Sequence, residues 1–354
     1  MKILKKILLT LLIVVIILIG GLYALFNKEI SSMNSIKKID DYGFYEMHIT
    51  SDYGLDGLVE QGGAENDNQL VQYVVKTILK GLPIEFNIPD FGCSTFQAKT
   101  PEGDWIFGRN YDLNPIPGMI VFTEPDNGYR SVSVSNISVL GYTLDKGPDS
   151  FVKKVMSLAA PYVVMDGMNE MGVSIGVLLI RDTPTSQNTD KLDLTTTSAI
   201  RLILDKAANV EEAITLFENM DMHASSGASY HFQVADANGF SAVIEYIDDK
   251  INVIRKEPEE VQALTNFLIS EEKYGFGKGQ DRYEILINTL VENNEVLTSV
   301  QAMDLLQAVS QDKTSEDGSI TATQWSVVYN NTKKTLDLVV ANQFDKVYSY
   351  QLFE

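Results

Sequence analysis

The sequence predicts an α+β fold preceded by one transmembrane helix. Three observations predict it. Ile7 to Phe26 is an uncharged apolar run of 20 residues, long enough to cross the hydrocarbon core of a bilayer as a helix. From residue 93 onward, short segments with strand character and turn signals come in groups, and pairs of helical segments separate the groups. The order strands, two helices, strands, two helices, strands fits sheets packed together with helices outside.

The elements follow in chain order. Lys2, Lys5 and Lys6 precede the apolar run and acidic residues follow it. The positive-inside rule then gives a cytoplasmic N-terminus and an exported body. The alternative is a cleaved signal peptide, but no A-x-A-like site is evident and the run exceeds a usual signal core. Ser31 to Gly63 is mixed in composition. Asn68 to Lys80 places Leu70, Val71, Val74, Val75, Ile78 and Leu79 on one broad face of a helix, which Gly81 and Pro83 end. Cys93 to Lys99 reads as a strand, Thr100 to Gly103 as a turn and Asp104 to Asn110 as the returning strand. Pro161 to Asp166 and Val173 to Ile180 form a second hairpin around Gly167–Gly172, where Asn169 suits the turn. Thr197 to Ala208 is helical, and Asn209 caps the next helix with Glu212 at the capping-box position. Tyr230 to Ala235, Phe240 to Tyr246 and Lys250 to Lys256 form a meander. Helices near Asp281–Glu292 and Ser299–Gln311 come next, the latter opened by Thr298 and Gln301. Thr323 to Val340 is a closing hairpin, and Lys346 to Phe353 adds a last strand.

Charge narrows the function. Residues 1–30 hold four lysines against Glu29; with a chain total of −20, the remainder carries −23. Such a body does not suit nucleic acid, which needs a positive surface, or flat binding to anionic lipid. Three histidines and one cysteine give no metal-spaced cluster, and no phosphate-cradling glycine loop is present.

The lone cysteine is the most informative residue. Cys93 has no internal disulfide partner, which leaves packing or chemistry. Folding the hairpin about Thr100–Gly103 brings Cys93 opposite Arg109 or Asn110. A guanidinium beside a thiol favours the thiolate, and Asp112 lies just beyond, within reach of Arg109 or of an amine at Cys93. A papain-like pairing of Cys93 with His223 or His231 is the rival.

Cys93-Ser94-Thr95 and Gly108-Arg109-Asn110-Tyr111-Asp112 are followed by Asp166-Gly167-Met168-Asn169-Glu170-Met171-Gly172. Leu264-Thr265-Asn266, Asp281-Arg282-Tyr283 and Thr323-Gln324-Trp325 come later. In this order and spacing the motifs resemble the choloylglycine hydrolase family of linear-amide hydrolases, from about Cys93 to the C-terminus. That family includes bile salt hydrolases, penicillin V acylases, acid ceramidase and N-acylethanolamine acid amidase. The resemblance implies the four-layer αββα sandwich of N-terminal-nucleophile hydrolases and a nucleophilic cysteine freed by cleavage before it. Residues 1–28 are then an anchor, 29–92 a pro-segment or N-terminal subunit that covers the site until cleavage, and 93–354 the hydrolase domain. It further implies that Arg109 sits beside the thiol, Asp112 holds the freed amine, Asn266 donates its amide to the oxyanion and Arg282 is a second site cation. No cofactor is implied. One departure stands out: bile salt hydrolases carry an oxyanion-hole asparagine at the spacing where this chain has Leu179. The expectation is an enzyme at the cell membrane, with its catalytic domain on the extracytoplasmic side, that cleaves linear N-acyl amides. Bile salts, penicillins, acyl transfer to an amine or a non-catalytic binding role are the alternatives.

Overall fold

The computed structural model describes residues 2–84, 92–314, 318 and 320–353, without side chains at 2–4, 18, 19 and 22. Among these residues two large sheets stack face to face. The first has nine strands in the order Lys37–Lys38, Phe44–Ile49, Gly118–Thr123, Ser131–Asn136, Val164–Asn169, Ser174–Ile180, Ser229–Ala235, Ser241–Ile247 and Lys250–Arg255. The second runs Ala263–Leu264, Gly92–Lys99, Trp105–Leu113, Ile320–Asn330, Thr335–Val340 and Tyr348–Gln351, with Asp312–Thr314 paired to Ile320–Asn330. Helices Thr196–Lys206 and Val210–Glu218 cover the outer face of the first sheet; Gln280–Glu292 and Ser299–Ala308 cover the second. The result is four layers, α, β, β, α, as expected.

Local chemistry explains several boundaries. Asn209 Oδ1 accepts from Glu212 N at 2.9 Å, and Thr298 with Gln301 completes a reciprocal capping box, each satisfying helix-start donors that lack an intrahelical partner. Asn169 holds its hairpin turn with the side chain: Oδ1 accepts from Met171 N and Val173 N, and Nδ2 donates to Leu204 O and Ala207 O. The left-handed backbone expected there falls on Gly172, at φ 83°. The helix expected over 68–80 is Asp67–Thr77. The strand expected from Pro161 begins at Val164, after a 3-10 turn over Ser157–Tyr162.

The described part of 29–92 is built into the fold. Phe44–Ile49 pairs in parallel with Gly118–Thr123 and buries Phe44, Met47 and Ile49. Tyr53 Oη donates to Asp205 at 2.6 Å, and Tyr350 Oη donates to Glu46 at 3.1 Å, so the middle and the C-terminal end of 93–354 both grip it.

The apolar run lies in a helix, Lys2–Leu25, whose side chains from Ile7 to Leu9 and Leu11 to Ile17 are exposed. Among the described residues no helix is long and apolar enough to cross a membrane; three residues of the run, 18, 19 and 22, fall outside the side-chain description.

Candidate active site

Cys93 lies at the start of the strand Gly92–Lys99, between Ala263–Leu264 on one side and Trp105–Leu113 on the other. Lys99 pairs with Trp105, so five residues separate the strands, and Cys93 falls opposite Tyr111 rather than Arg109 or Asn110. Thr100 N–H donates to Asp104 O at 2.7 Å, which closes a longer turn than the one expected and moves the register.

Strand parity then decides which side chains meet. Opposed residues share a face and neighbours alternate. Cys93, Tyr111 and Arg109 point between the sheets; Asp112 and Asn110 point toward the helices, where Asn110 Nδ2 reaches Leu306 O at 2.7 Å. Asp112 therefore does not bind Arg109. Each finds its own partner on its own face.

On the helix side the partner is Arg282, in the first turn of Gln280–Glu292 and only 8% exposed. Its Nη1 donates to Asp112 Oδ2 at 3.1 Å and to the Cys93 carbonyl at 2.7 Å; its Nη2 donates to Asn266 Oδ1 at 2.9 Å. Asn266 Oδ1 also accepts the Cys93 N–H at 2.7 Å. Thr323 Oγ1 donates to the other Asp112 oxygen at 2.7 Å. The backbone of Cys93 is thus held by two of the expected residues, Asn266 and Arg282, and the third, Asp112, holds Arg282. The Asn266 amide has two hydrogens, and one goes to Leu179 O at 2.9 Å. At the position where bile salt hydrolases carry an asparagine, this chain offers a backbone carbonyl. Gly92 fits the same crowding: a Cβ there would lie 3.2 Å from Asp112 Cβ.

Between the sheets, Arg109 is fully buried. Its Nη2 donates to Val177 O at 2.7 Å, and its Nε lies 3.4 Å from Asp166 Oδ2. Asp166 also accepts from Trp325 Nε1 at 2.9 Å and Tyr329 Oη at 2.6 Å, and the Trp325 ring stacks on Tyr111 at 4.1 Å. Gly176 permits this approach, since a Cβ there would sit 3.0 Å from Thr95 Cγ2 and 3.4 Å from Arg109 Cδ. Arg109 Nη1 makes no hydrogen bond to nitrogen or oxygen, and the guanidinium adjoins the thiol.

Its charge does not win. Burial pushes the Cys93 thiol up to about 12, against the opposing pull of Arg109. Desolvation penalises the charged form more than one buried cation favours it. In the uncleaved chain Cys93 is a neutral thiol, contrary to the thiolate expected from the hairpin. Burial likewise raises the Asp112 carboxyl above its usual range, with Arg282 and Thr323 pulling it down.

A cavity of about 530 Å³ opens beside this backbone, lined by Gly92, Leu179, Asn266, Phe276, Arg282 and Lys313 among others. The thiol–imidazole alternative is not made: His223 pairs with Asp193 at 2.7 Å, and both His231 nitrogens are taken by Glu245 and Thr265 O. Sequence reasoning gave no role to Asp166, Thr323 or Trp325, although all three lie in the motifs quoted above. Two strands leading to the site, Gly118–Thr123 and Ser131–Asn136, were also unread; the alternation in Ser131-Val132-Ser133-Val134-Ser135 was their available signal.

Residues 93–267 match the family described as linear amide C–N hydrolases, choloylglycine hydrolase family; the match begins at Cys93. Two crystal structures of conjugated bile acid hydrolase from Clostridium perfringens, a cysteine-to-alanine and an arginine-to-leucine variant, share the fold at a TM-score of 0.55. Each is 15% identical and covers 73% of this chain and 92% of its own. Penicillin V acylase from Agrobacterium tumefaciens is 16% identical over 73% of this chain and 86% of its own, at a TM-score of 0.49. No curated protein matches in sequence. With an α+β fold of the N-terminal-nucleophile type and a family match that starts at its only cysteine, the chain is, over residues 93–267, a linear amide C–N hydrolase of the choloylglycine hydrolase family.

Proposed function

We propose that the protein is a membrane-tethered amidohydrolase that frees Cys93 by cutting its own Gly92–Cys93 bond and then hydrolyses N-acyl amides through an acyl-enzyme on that cysteine. One observation carries the reading: Asn266 Oδ1 holds the Cys93 nitrogen at 2.7 Å, beside Arg282 and Asp112 and against an open cavity.

In the cleavage the Cys93 sulfur adds to the Gly92 carbonyl carbon. The Gly92–Cys93 C–N bond breaks, a thioester forms, and the proton lost by the thiol ends on the departing nitrogen. The Cys93 amine is now free, and water cleaves the thioester to a Gly92 carboxylate and the restored Cys93 thiol. An α-amine ionises near ~7.7–8.0, so it serves as a base near neutral pH. In turnover it takes the thiol proton, sulfur attacks the substrate carbonyl, the oxyanion is met by the Asn266 amide, and the amine returns the proton to the leaving nitrogen. Water completes the cycle. Asp112 and Arg282 hold amine and carbonyl in place. Because the Phe44–Ile49 strand is part of a sheet, the N-terminal piece stays bound after the cut.

The uncharged run of 20 residues after three lysines supports a tether with the body exported, which places the enzyme where lipophilic amides partition. A second reading, a hydrolase of conjugated bile acids or penicillins, is favoured by one feature. Arg181, Lys278 and Lys313 on the cavity wall would suit an acidic substrate. Intact-mass measurement of purified protein tests the cut: a 93–354 fragment of 262 residues is expected, and an active preparation with only uncut chain would end the proposal. A panel of neutral and acidic N-acyl amides on the cut form separates the two readings.

A further inference from the structure

His231 and Glu245 are directly opposed on the strands Ser229–Ala235 and Ser241–Ile247, and both are fully buried. Neither belongs to the motifs that mark the site, and a buried ion pair far from chemistry would be hard to justify on stability alone, since desolvation offsets most of its attraction. The contacts show what the pair grips. His231 Nε2 lies 2.7 Å from Thr265 O, and Nδ1 lies 3.2 Å from Glu245 Oε1. Glu245 Oε1 accepts from Ile269 N at 2.9 Å; Oε2 accepts from Ser270 N at 3.0 Å and from Ser270 Oγ.

A carbonyl oxygen only accepts, so Nε2 carries a proton. Both Glu245 oxygens already receive N–H or O–H donors, and Nδ1 faces Oε1. The pair grips the chain on both sides of Asn266: at the peptide that leads into it, through Thr265 O, and three and four residues beyond it, through Ile269 and Ser270. The site end of Asn266 is tied to Cys93 N and Arg282; the clamp fixes its backbone from the opposite side.

We propose that His231 and Glu245 are positioning residues that set Asn266 against the nucleophile. The inference rests on the proposed role of Asn266. A misplacement of about 1 Å at a reacting group can cost ~10²-fold, which is the scale at stake.

The test is a double-mutant cycle in the full-length protein. The variants are His231→Ala, His231→Gln, Glu245→Gln, Asn266→Ala and Asn266→Ala with His231→Ala. The Gly92–Cys93 cleavage rate is read by mass, kcat and KM per cut chain on one N-acyl amide, and the folded fraction by thermal unfolding. His231→Ala is expected to lower cleavage rate and kcat about tenfold to a hundredfold with KM within about twofold. His231→Gln, whose amide can still donate to Thr265 O, recovers part of the loss. The double variant is no slower than Asn266→Ala, because the clamp acts through that residue. Losses that multiply in the double variant, or that follow the folded fraction alone, overturn the clamp. So does wild-type kcat in folded His231→Ala and Glu245→Gln while Asn266→Ala is impaired. Full activity in Asn266→Ala is a different failure: it removes the role of Asn266, and the clamp with it.

Discussion

Two buried arginine–aspartate pairs flank Cys93, and they do opposite work. Arg282–Asp112 faces the helices and the cavity, touches the Cys93 backbone carbonyl and shares Asn266 with the Cys93 nitrogen. Arg109–Asp166 lies between the sheets, with side chains that are 0% exposed, and joins three strands through Asp166, Val177 and the Tyr329 and Trp325 donors. The first pair holds the backbone of Cys93 beside the cavity. The second fixes how the sheets meet and places one cation behind the thiol. The same two residue types thus serve chemistry or packing according to which face of one strand they leave from.

The sharpest way to break this comparison is at the thiol between the pairs. Cys93→Ala should abolish both self-cleavage and turnover, by about 10⁴-fold or more, with a thermal midpoint near wild type. Mass and progress curves check it, and substantial residual turnover would remove the nucleophile from the scheme. Cys93→Ser should turn over far more slowly than wild type, because a hydroxyl ionises much less readily than a thiol.

The next test sets the pairs against each other. Arg282→Lys and Asp112→Asn should cut turnover about 10²-fold, because Lys cannot span Cys93 O, Asp112 and Asn266 with one planar fork. Their thermal midpoints should fall less than those of the inner pair. Arg109→Lys and Asp166→Asn should instead lose stability first, on the order of 3–5 kcal/mol for a broken buried pair, with turnover per folded molecule falling less. The Arg109 site therefore registers in folding as well as in chemistry, whereas the hairpin register alone predicts a loss mainly in turnover. Equal ratios of kinetic to thermal loss across the two pairs would erase the distinction.

The smallest effect lies at the rim. Glu46 accepts from Lys37, His48 and Tyr350, and although burial opposes them, these partners hold its carboxyl at about 2 against an ordinary 4.5. Because the folded value is the lower one, its contribution is present above about pH 4.5 and lost as pH falls toward 2. Thermal midpoints from pH 5 to 3 should fall more steeply in wild type than in Glu46→Gln; parallel slopes would show that this contact does not hold the N-terminal segment.

The sequence by itself determined what is local. A lone Cys93, the Thr298–Gln301 and Asn209–Glu212 caps, and the order of strands and helix pairs led to the α+β class; the four layers and the five candidate site residues came from the order and spacing of motifs that resemble the choloylglycine hydrolase family. Tertiary structure decided which of those residues touch. One longer turn placed Cys93 opposite Tyr111 instead of Arg109 or Asn110, and strand parity then parted Arg109 from Asp112 and gave each a partner 57 or 170 residues away. The Phe44–Ile49 strand joined a sheet whose neighbour begins 74 residues further on (44 to 118), so no local pattern could show where it pairs. The state of the thiol is the least local feature of all: burial by the whole fold outweighs the nearby Arg109 and Arg282 guanidinium groups and pushes the Cys93 thiol up.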